Sequence, residues 1–293
     1  MRDTKENQTC FFVSDLHGHV DRYEKLFKKI EEERPLALFI GGDILPAALL
    51  SLTASAHTYA DFINDVIGVG LKKLQNILVD DYPEIFVILG NDDSKFYESA
   101  VLDLAARGVW KYAHNRDIKL GTFTVYGYSY VPPSPFLLKD WERYDVSRYV
   151  DPGCVSPEEG FRSVPASEYE KKWSTIQDDL NDLTKDEDLS KSIFLFHSPP
   201  YKTPLDRAAL DGKMIDFAPL DVHVGSIAIQ RFIKKRQPRI TLHGHIHEST
   251  RITGSWRCNI GKTRCFNAAH DGKELALIKF DPNHPDKAER ELV

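Results

Sequence analysis

Cysteine, positive charge and long apolar runs are all scarce in this sequence, and each scarcity removes a class of function. The 293 residues include only four cysteines, Cys10, Cys154, Cys258 and Cys265, none at the Cys-x-x-Cys spacing of a thiolate metal site. No apolar run approaches the roughly 20 residues of a membrane-spanning helix, and the longest, residues 36–50, is broken by Asp43 and Pro46. Lys and Arg number 38 against 44 Asp and Glu, a formal net charge of -6. That balance lacks the general basic footprint of a duplex DNA binder. Residues 1–8 show no apolar core of a secretory leader, and neither internal repeats nor low-complexity tracts occur. A soluble, cytoplasmic globular protein is expected, with reduced thiols and no membrane partner.

What is present is an alternation of short apolar runs and helical patterns. Strands are predicted at residues 10–14, 36–40 and 85–89, with helices between and after them: Val20, Tyr23, Phe27 and Ile30 share one face, as do Phe62, Val66 and Leu74 within residues 59–79. A further helix is predicted at 94–107. Continuous apolar strands separated by helices imply a parallel sheet covered on both faces. Strand character recurs at 123–128, 192–196, 239–242 and 275–280, and a helix at 225–237 stops before Pro238. The tail after Asp281 is polar. Gly261-Lys262 reads as a two-residue hairpin turn that sets Cys258 opposite Cys265. Between these halves, residues 131–190 form an insertion without a continuous strand but rich in aromatics. Within it Ser167 and Glu170 make a capping box, and Tyr169, Trp173, Ile176 and Leu180 predict one apolar helix stripe. Residues 178–191 are acidic and read as a solvated helix end and loop. The expectation is one domain spanning residues 1–293 with an inserted segment.

Five strand ends carry metal-ligand residue types: Asp15-Leu16-His17, Gly42-Asp43, Gly90-Asn91-Asp92-Asp93, His197 and Gly244-His245-Ile246-His247. Ligands delivered from the carboxyl ends of neighbouring strands converge on one crevice. A lone Asp-x-His is uninformative, whereas five such segments, each after an apolar run, point to a metal centre. Oxygen and nitrogen donors without thiolate suit Mn²⁺, Fe or Zn²⁺, with Mn²⁺ the first expectation.

These five motifs, in this order, resemble the calcineurin-like metallophosphoesterase superfamily over residues 9–271 outside the insertion. The resemblance implies an α/β (α+β) fold, a two-sheet β-sandwich flanked by helices, and a metal-dependent phosphoester hydrolase with two divalent cations. It assigns Asp15, His17, Asp43 and His247 to one cation and Asp43, Asn91, His197 and His245 to the other, with Asp43 shared. His245 and Asp92 are the catalytic candidates. At Asp92 the sequence departs from the pattern, which commonly has His there to contact the phosphate or protonate the leaving oxygen. An ionised aspartate cannot donate a proton and repels a dianionic monoester more than a monoanionic diester, so phosphodiesters or activated esters are the expected small substrates. His19, Asp93 and His243 are candidates for orienting the ligands or lining the substrate pocket. Tyr201, Lys202, Arg207 and His223 could cover the crevice, and Lys139, Trp141 and Arg143 could contact an anion or base. Two other readings remain open at this level, a nuclease on single-stranded nucleic acid and a non-catalytic metal-binding scaffold.

Overall fold

The computed structural model describes residues 8–46 and 61–293. Its first half delivers β1 (Cys10–Val13), α1 (Val20–Glu33), β2 (Ala37–Gly41), α2 (Val69–Leu78), β3 (Glu84–Ile88), α3 (Glu98–Ala106) and β4 (Lys111–Tyr112). β1, β2, β3 and β4 pair in parallel in that order, as their unbroken apolar runs require. Along β1, Phe11 and Val13 join the core beneath the helices, while Cys10 and Phe12 join a second core on the opposite face. α1 buries Tyr23, Leu26 and Ile30. The helix predicted at 59–79 starts with residues 59 and 60 outside the described set. Its described part opens as a π-helical segment, Ile63–Gly68, before α2. The buried stripe is Ile63, Ile67, Leu71, Leu74 and Leu78; of the predicted face only Leu74 belongs to it, because the wider π turns shift the phase.

The second half supplies another sheet. β5 (Arg116–Leu120), β6 (Phe123–Tyr128), α4 (Glu168–Lys172), α5 (Ile176–Thr184), β7 (Ser192–Phe196), the small hairpin β8 (Met214–Ile215) and β9 (Ala218–Pro219), α6 (Ile227–Arg236), β10 (Ile240–His243), α7 (Ser249–Thr253), β11 (Arg257–Ile260), β12 (Thr263–Asn267), β13 (Ala276–Phe280) and β14 (Glu289–Leu292) follow. One six-stranded sheet runs β14-β13-β1-β2-β3-β4 and the other β11-β12-β10-β7-β6-β5. Their facing surfaces interdigitate: Phe12, Phe39, Phe86 and Ile88 from one share a buried core with Val125, Ile193, Leu195, Leu242 and Phe266 from the other. Phe39 and Phe86 stack at 5.2 Å. This is the predicted two-sheet sandwich with helices outside.

Several local expectations change. The polar tail forms β14, an edge strand on β13. The stripe from Tyr169 to Leu180 is two helices, because Thr175 caps α5 by accepting the Asp178 N–H at 3.0 Å; Tyr169 and Trp173 are exposed. Cys258 and Cys265 face each other across β11 and β12 as free thiols. Lys139 and Trp141 are fully buried, Lys139 pairing with Glu142 at 2.5 Å, so neither is available to a ligand.

Candidate metal centre

Every ligand-bearing segment leaves the carboxyl end of a central parallel strand: β1, β2 and β3 in one sheet, β7 and β10 in the other. Main-chain bonds then sew the segments together. Asp15 N–H donates to Gly42 O at 3.0 Å, His17 N–H to Asp43 O at 2.8 Å and Gly244 N–H to His197 O at 2.9 Å. Such tight turns put Asp15, His17, Asp43 and His245 at φ of 58°, 47°, 50° and 73°, a left-handed conformation that L-residues rarely adopt. Gly90 and Gly244 permit the approach: a Cβ on Gly90 would meet Asp43 Oδ1, and one on Gly244 would meet Ser14 Oγ and Asp15 Oδ2.

Two sets of donor atoms result, Asp15, His17, Asp43 and His247, and Asp43, His197 and His245, each with its atoms within 4.8 Å of one another. His17 Nε2 and His247 Nε2 lie 3.0 Å apart, and His247 Nε2 is 3.1 Å from Asp15 Oδ1. Asp43 Oδ2 is 3.8 Å from His17 Nε2 and 3.2 Å from His197 Nε2, so one carboxylate serves both sets. Asn91 Oδ1 approaches His197 Nε2 at 3.0 Å. His197 Nδ1 sits 2.8 Å from Gly41 O, an acceptor that demands an Nδ1–H and leaves Nε2 as the atom that could bind a cation.

The electrostatics carry the same message. Burial alone would depress His197 and His247, yet Asp43 lifts His197 to about 10 and Asp15 lifts His247 to about 9. His245, enclosed and facing His197, falls to about 3. Although burial disfavours their charge, His247 draws Asp15 down to about 2 and His197 takes Asp43 below the ordinary carboxylate range. These carboxylates attract positive charge to the points where ring nitrogens converge, and that donor set fits borderline divalent cations.

The remaining predicted residues sort by contact. Asp92 lies at the edge, its Oδ2 3.6 Å from His17 Nδ1 and its N–H donating to Asp43 Oδ1 at 2.8 Å; burial and the Asp43 charge push its carboxyl up. Asp93 points away and accepts the N–H groups of Ile44, Leu45 and Gly90 at 3.1, 2.8 and 2.9 Å. His243 is also turned from the donor sets, bonded through Nδ1 to Ser198 O at 2.9 Å and through Nε2 to Thr241 Oγ1 at 2.7 Å. His19 stands exposed at the start of α1. Tyr201 donates to Asp221 at 2.6 Å, Lys202 lies over the Tyr201 ring, Arg207 pairs with Asp211, and His223 meets Asp206 at 2.8 Å. None of these contacts reaches the donor sets. Arg143 is paired with Asp179 at 2.6 Å. A residue that sequence reasoning missed is Arg22, buried on α1, whose Nη1 holds Asp15 O at 2.8 Å. Its signal is an arginine falling four residues before the apolar Leu26 on the helix's inner face.

This chain matches the calcineurin-like phosphoesterase family over residues 9–249. It belongs to that family. Calcineurin-like phosphoesterases are dinuclear metal-dependent hydrolases of phosphoester bonds, and both the sandwich and the paired donor sets agree with that activity. No curated protein matches the sequence. Among solved structures, one is 18% identical with a TM-score of 0.57, covering 97% of this chain and 98% of its own. The protein TT1561 of Thermus thermophilus is 16% identical with a TM-score of 0.53 and the same coverage. A dimetal phosphatase from Danio rerio, LOC 393393, is 12% identical with a TM-score of 0.47, covering 92% and 91%. At such identities the first two likenesses concern the fold. No helix among the described residues of this phosphoesterase is long and apolar enough to cross a membrane.

Proposed function

We propose that this phosphoesterase cleaves small phosphodiesters or activated esters at a dinuclear centre. Asp15, His17, Asp43 and His247 would hold one cation and Asp43, Asn91, His197 and His245 the other, with Mn²⁺ the first choice ahead of Fe or Zn²⁺. The observation carrying this assignment is the single Asp43 carboxylate reaching His17 on one side and His197 on the other. Two divalent cations supply Lewis acidity to the phosphoryl group and acidify water.

The chain's own residues set selectivity. Gly41 O fixes the His197 tautomer, and Asp15 orients the His245 segment by accepting its N–H at 3.0 Å. Asp92 stands where it can face a bound ester, 3.6 Å from His17. Positive charge at the centre favours its ionised form over the upward push of burial. In that form it supplies no proton to a leaving oxygen and opposes a second negative charge on the phosphate. Diesters and esters with good leaving groups are therefore the preferred substrates.

The experiment is turnover of nitrophenyl phosphate and bis-nitrophenyl phosphate with Mn²⁺ supplied, for wild type and Asp92→His. Wild type should favour the diester, and Asp92→His should raise monoester turnover by roughly tenfold or more, the contribution of a modest general acid. A monoester preference in wild type would overturn the proposal.

A further inference from the structure

The second sheet carries a pair of thiols outside both donor sets. β11 and β12 turn through Gly261 and Lys262, Ile260 and Thr263 close the hairpin, and two steps further out Cys258 stands opposite Cys265. Counted from a two-residue turn this is a hydrogen-bonded pair, with Cα atoms about 5.5 Å apart. A disulfide spans Cα separations of roughly 4.4 to 6.8 Å, so a bridge fits this register without moving either strand. Both thiols are free, Cys265 sealed in the core and Cys258 half-buried against it.

Each thiol alters the other. Burial opposes charge on Cys265, yet the Cys258 thiol and then His243 draw it down to about 5. Contact with the Cys265 sulfur, then burial, pushes Cys258 up. At neutral pH the two sulfurs therefore hold one proton between them. A proton shared by neighbouring sulfurs can sit on either, so Cys258 presents thiolate to an oxidant at the surface, the form that reacts. The other two cysteines differ. Burial pushes Cys10 up to about 12 and Cys154 up to about 11, and Cys10 lies opposite Phe280 and Ala37 rather than a thiol.

The pair also adjoins the metal centre. In the parallel register of β10 and β12, Cys265 lies beside Thr241, and its sulfur feels both Thr241 and His243. His243 Nε2 meets Thr241 Oγ1 at 2.7 Å, and its Nδ1 meets Ser198 O at 2.9 Å. Ser198 follows His197, whose carbonyl accepts the Gly244 N–H at 2.9 Å. One imidazole thus joins the thiols to the exits of β7 and β10, from which His197 and His245 leave the sheet. Closing a disulfide turns the Cys265 sulfur toward Cys258 and away from Thr241 and His243.

We propose that Cys258 and Cys265 form a peroxide-sensitive switch, in which oxidation bridges them and loosens the segments carrying His197 and His245. Hydrogen peroxide gives one oxygen to the Cys258 sulfur as its O–O bond breaks, and a water leaves. The Cys265 sulfur then attacks the Cys258 sulfur, the S–O bond breaks, and a second water leaves. The two thiols lose two electrons and two protons, and the peroxide ends as two waters. The effect on the centre rests on the dinuclear reading above; the disulfide itself does not.

The test treats the metal-loaded full chain with hydrogen peroxide, removes the peroxide, strips the metal with a chelator and titrates Mn²⁺ by calorimetry. Cys258→Ala is carried through the same steps. Mass spectrometry of tryptic peptides should find Cys258 joined to Cys265 in the wild type. Its Mn²⁺ affinity should fall by about 2- to 30-fold, the range of coupling through a packed network. Dithiothreitol should restore that affinity, and Cys258→Ala should keep its own throughout. Absence of the bridge overturns the inference, as does a bridge that leaves Mn²⁺ affinity unchanged or an equal loss in Cys258→Ala. If no ester is hydrolysed while the bridge forms and Mn²⁺ binding weakens reversibly, the catalytic reading fails and the switch stands.

Discussion

Asp93 accepts three main-chain N–H groups from two loops, those of Ile44, Leu45 and Gly90, and so clamps the β2 exit against the β3 exit. Removing it would leave three buried donors without their acceptor. Asp93→Ala should destabilise the protein by about 2–4 kcal/mol, allowing for partial rescue by water, a change that urea denaturation measures. Asp93→Asn should recover part of the loss, because its amide oxygen can still accept the Ile44 and Gly90 N–H groups that share Oδ2, while its NH2 leaves the Leu45 N–H without an acceptor. The residue types that converge on the centre were legible from sequence, since each follows an apolar strand. Their neighbours were less so. Asp93 and His243 adjoin ligands in the chain, but only the fold shows that each side chain points away, into main-chain bonding. Lys139 and Trp141 have the chemistry of a ligand contact and are instead sealed in the core, because burial is a property of the packed insertion rather than of residue type.

At the scale of elements, the parallel strands announced themselves through unbroken apolar runs, while β14 did not. Its Glu289-Arg290-Glu291-Leu292 is charged because it is an edge strand with only β13 to pair with. The split between α4 and α5 also had a local signal, Thr175 with an acceptor-facing Asp178 N–H, which competed with the longer apolar stripe and prevailed. One side chain of the insertion caps the start of α6, while Arg236 at the other end of that helix bonds Thr184, Lys185 and Glu187. Asp145 accepts the Ser226 Oγ–H at 2.5 Å and the N–H groups of Ile227 and Ala228 at 2.6 and 3.1 Å. A carboxylate there satisfies otherwise unpaired first-turn amides and complements the helix dipole. Asp145→Ala should therefore lower stability by about 1–2 kcal/mol while leaving metal content unchanged, read out by thermal melting and elemental analysis.

Across the whole molecule, the joint between the sheets and the insertion is aromatic and encloses an imidazole. His114 packs edge-on against Trp141 at 4.9 Å and accepts the Ser129 N–H at 3.1 Å through Nδ1. Burial, then the charges of Lys95 and Arg143, hold it down at about 3, against 6.5 for a free histidine. Above pH 6.5 it is neutral whether folded or unfolded, and its full contribution to stability is present. As pH falls from 6.5 toward 3, only the unfolded chain takes up the proton, so stability is lost across that window. His114→Gln should flatten this part of the melting temperature profile. Two sheet-forming halves were legible in the strand patterns, whereas their packing as a sandwich came by way of family resemblance, because strand patterns reveal pairing direction more readily than how sheets face each other. The left-handed turns at Asp15, His17, Asp43 and His245 have a consequence for descent. At each, glycine would suit the backbone better than the residue present, but Asp15 and Asp43 also accept the His245 and Asp92 N–H groups, so drift constrained by folding alone would erode the histidine donors first. Lineages from such a scaffold can lose donors at these turns and keep the shape.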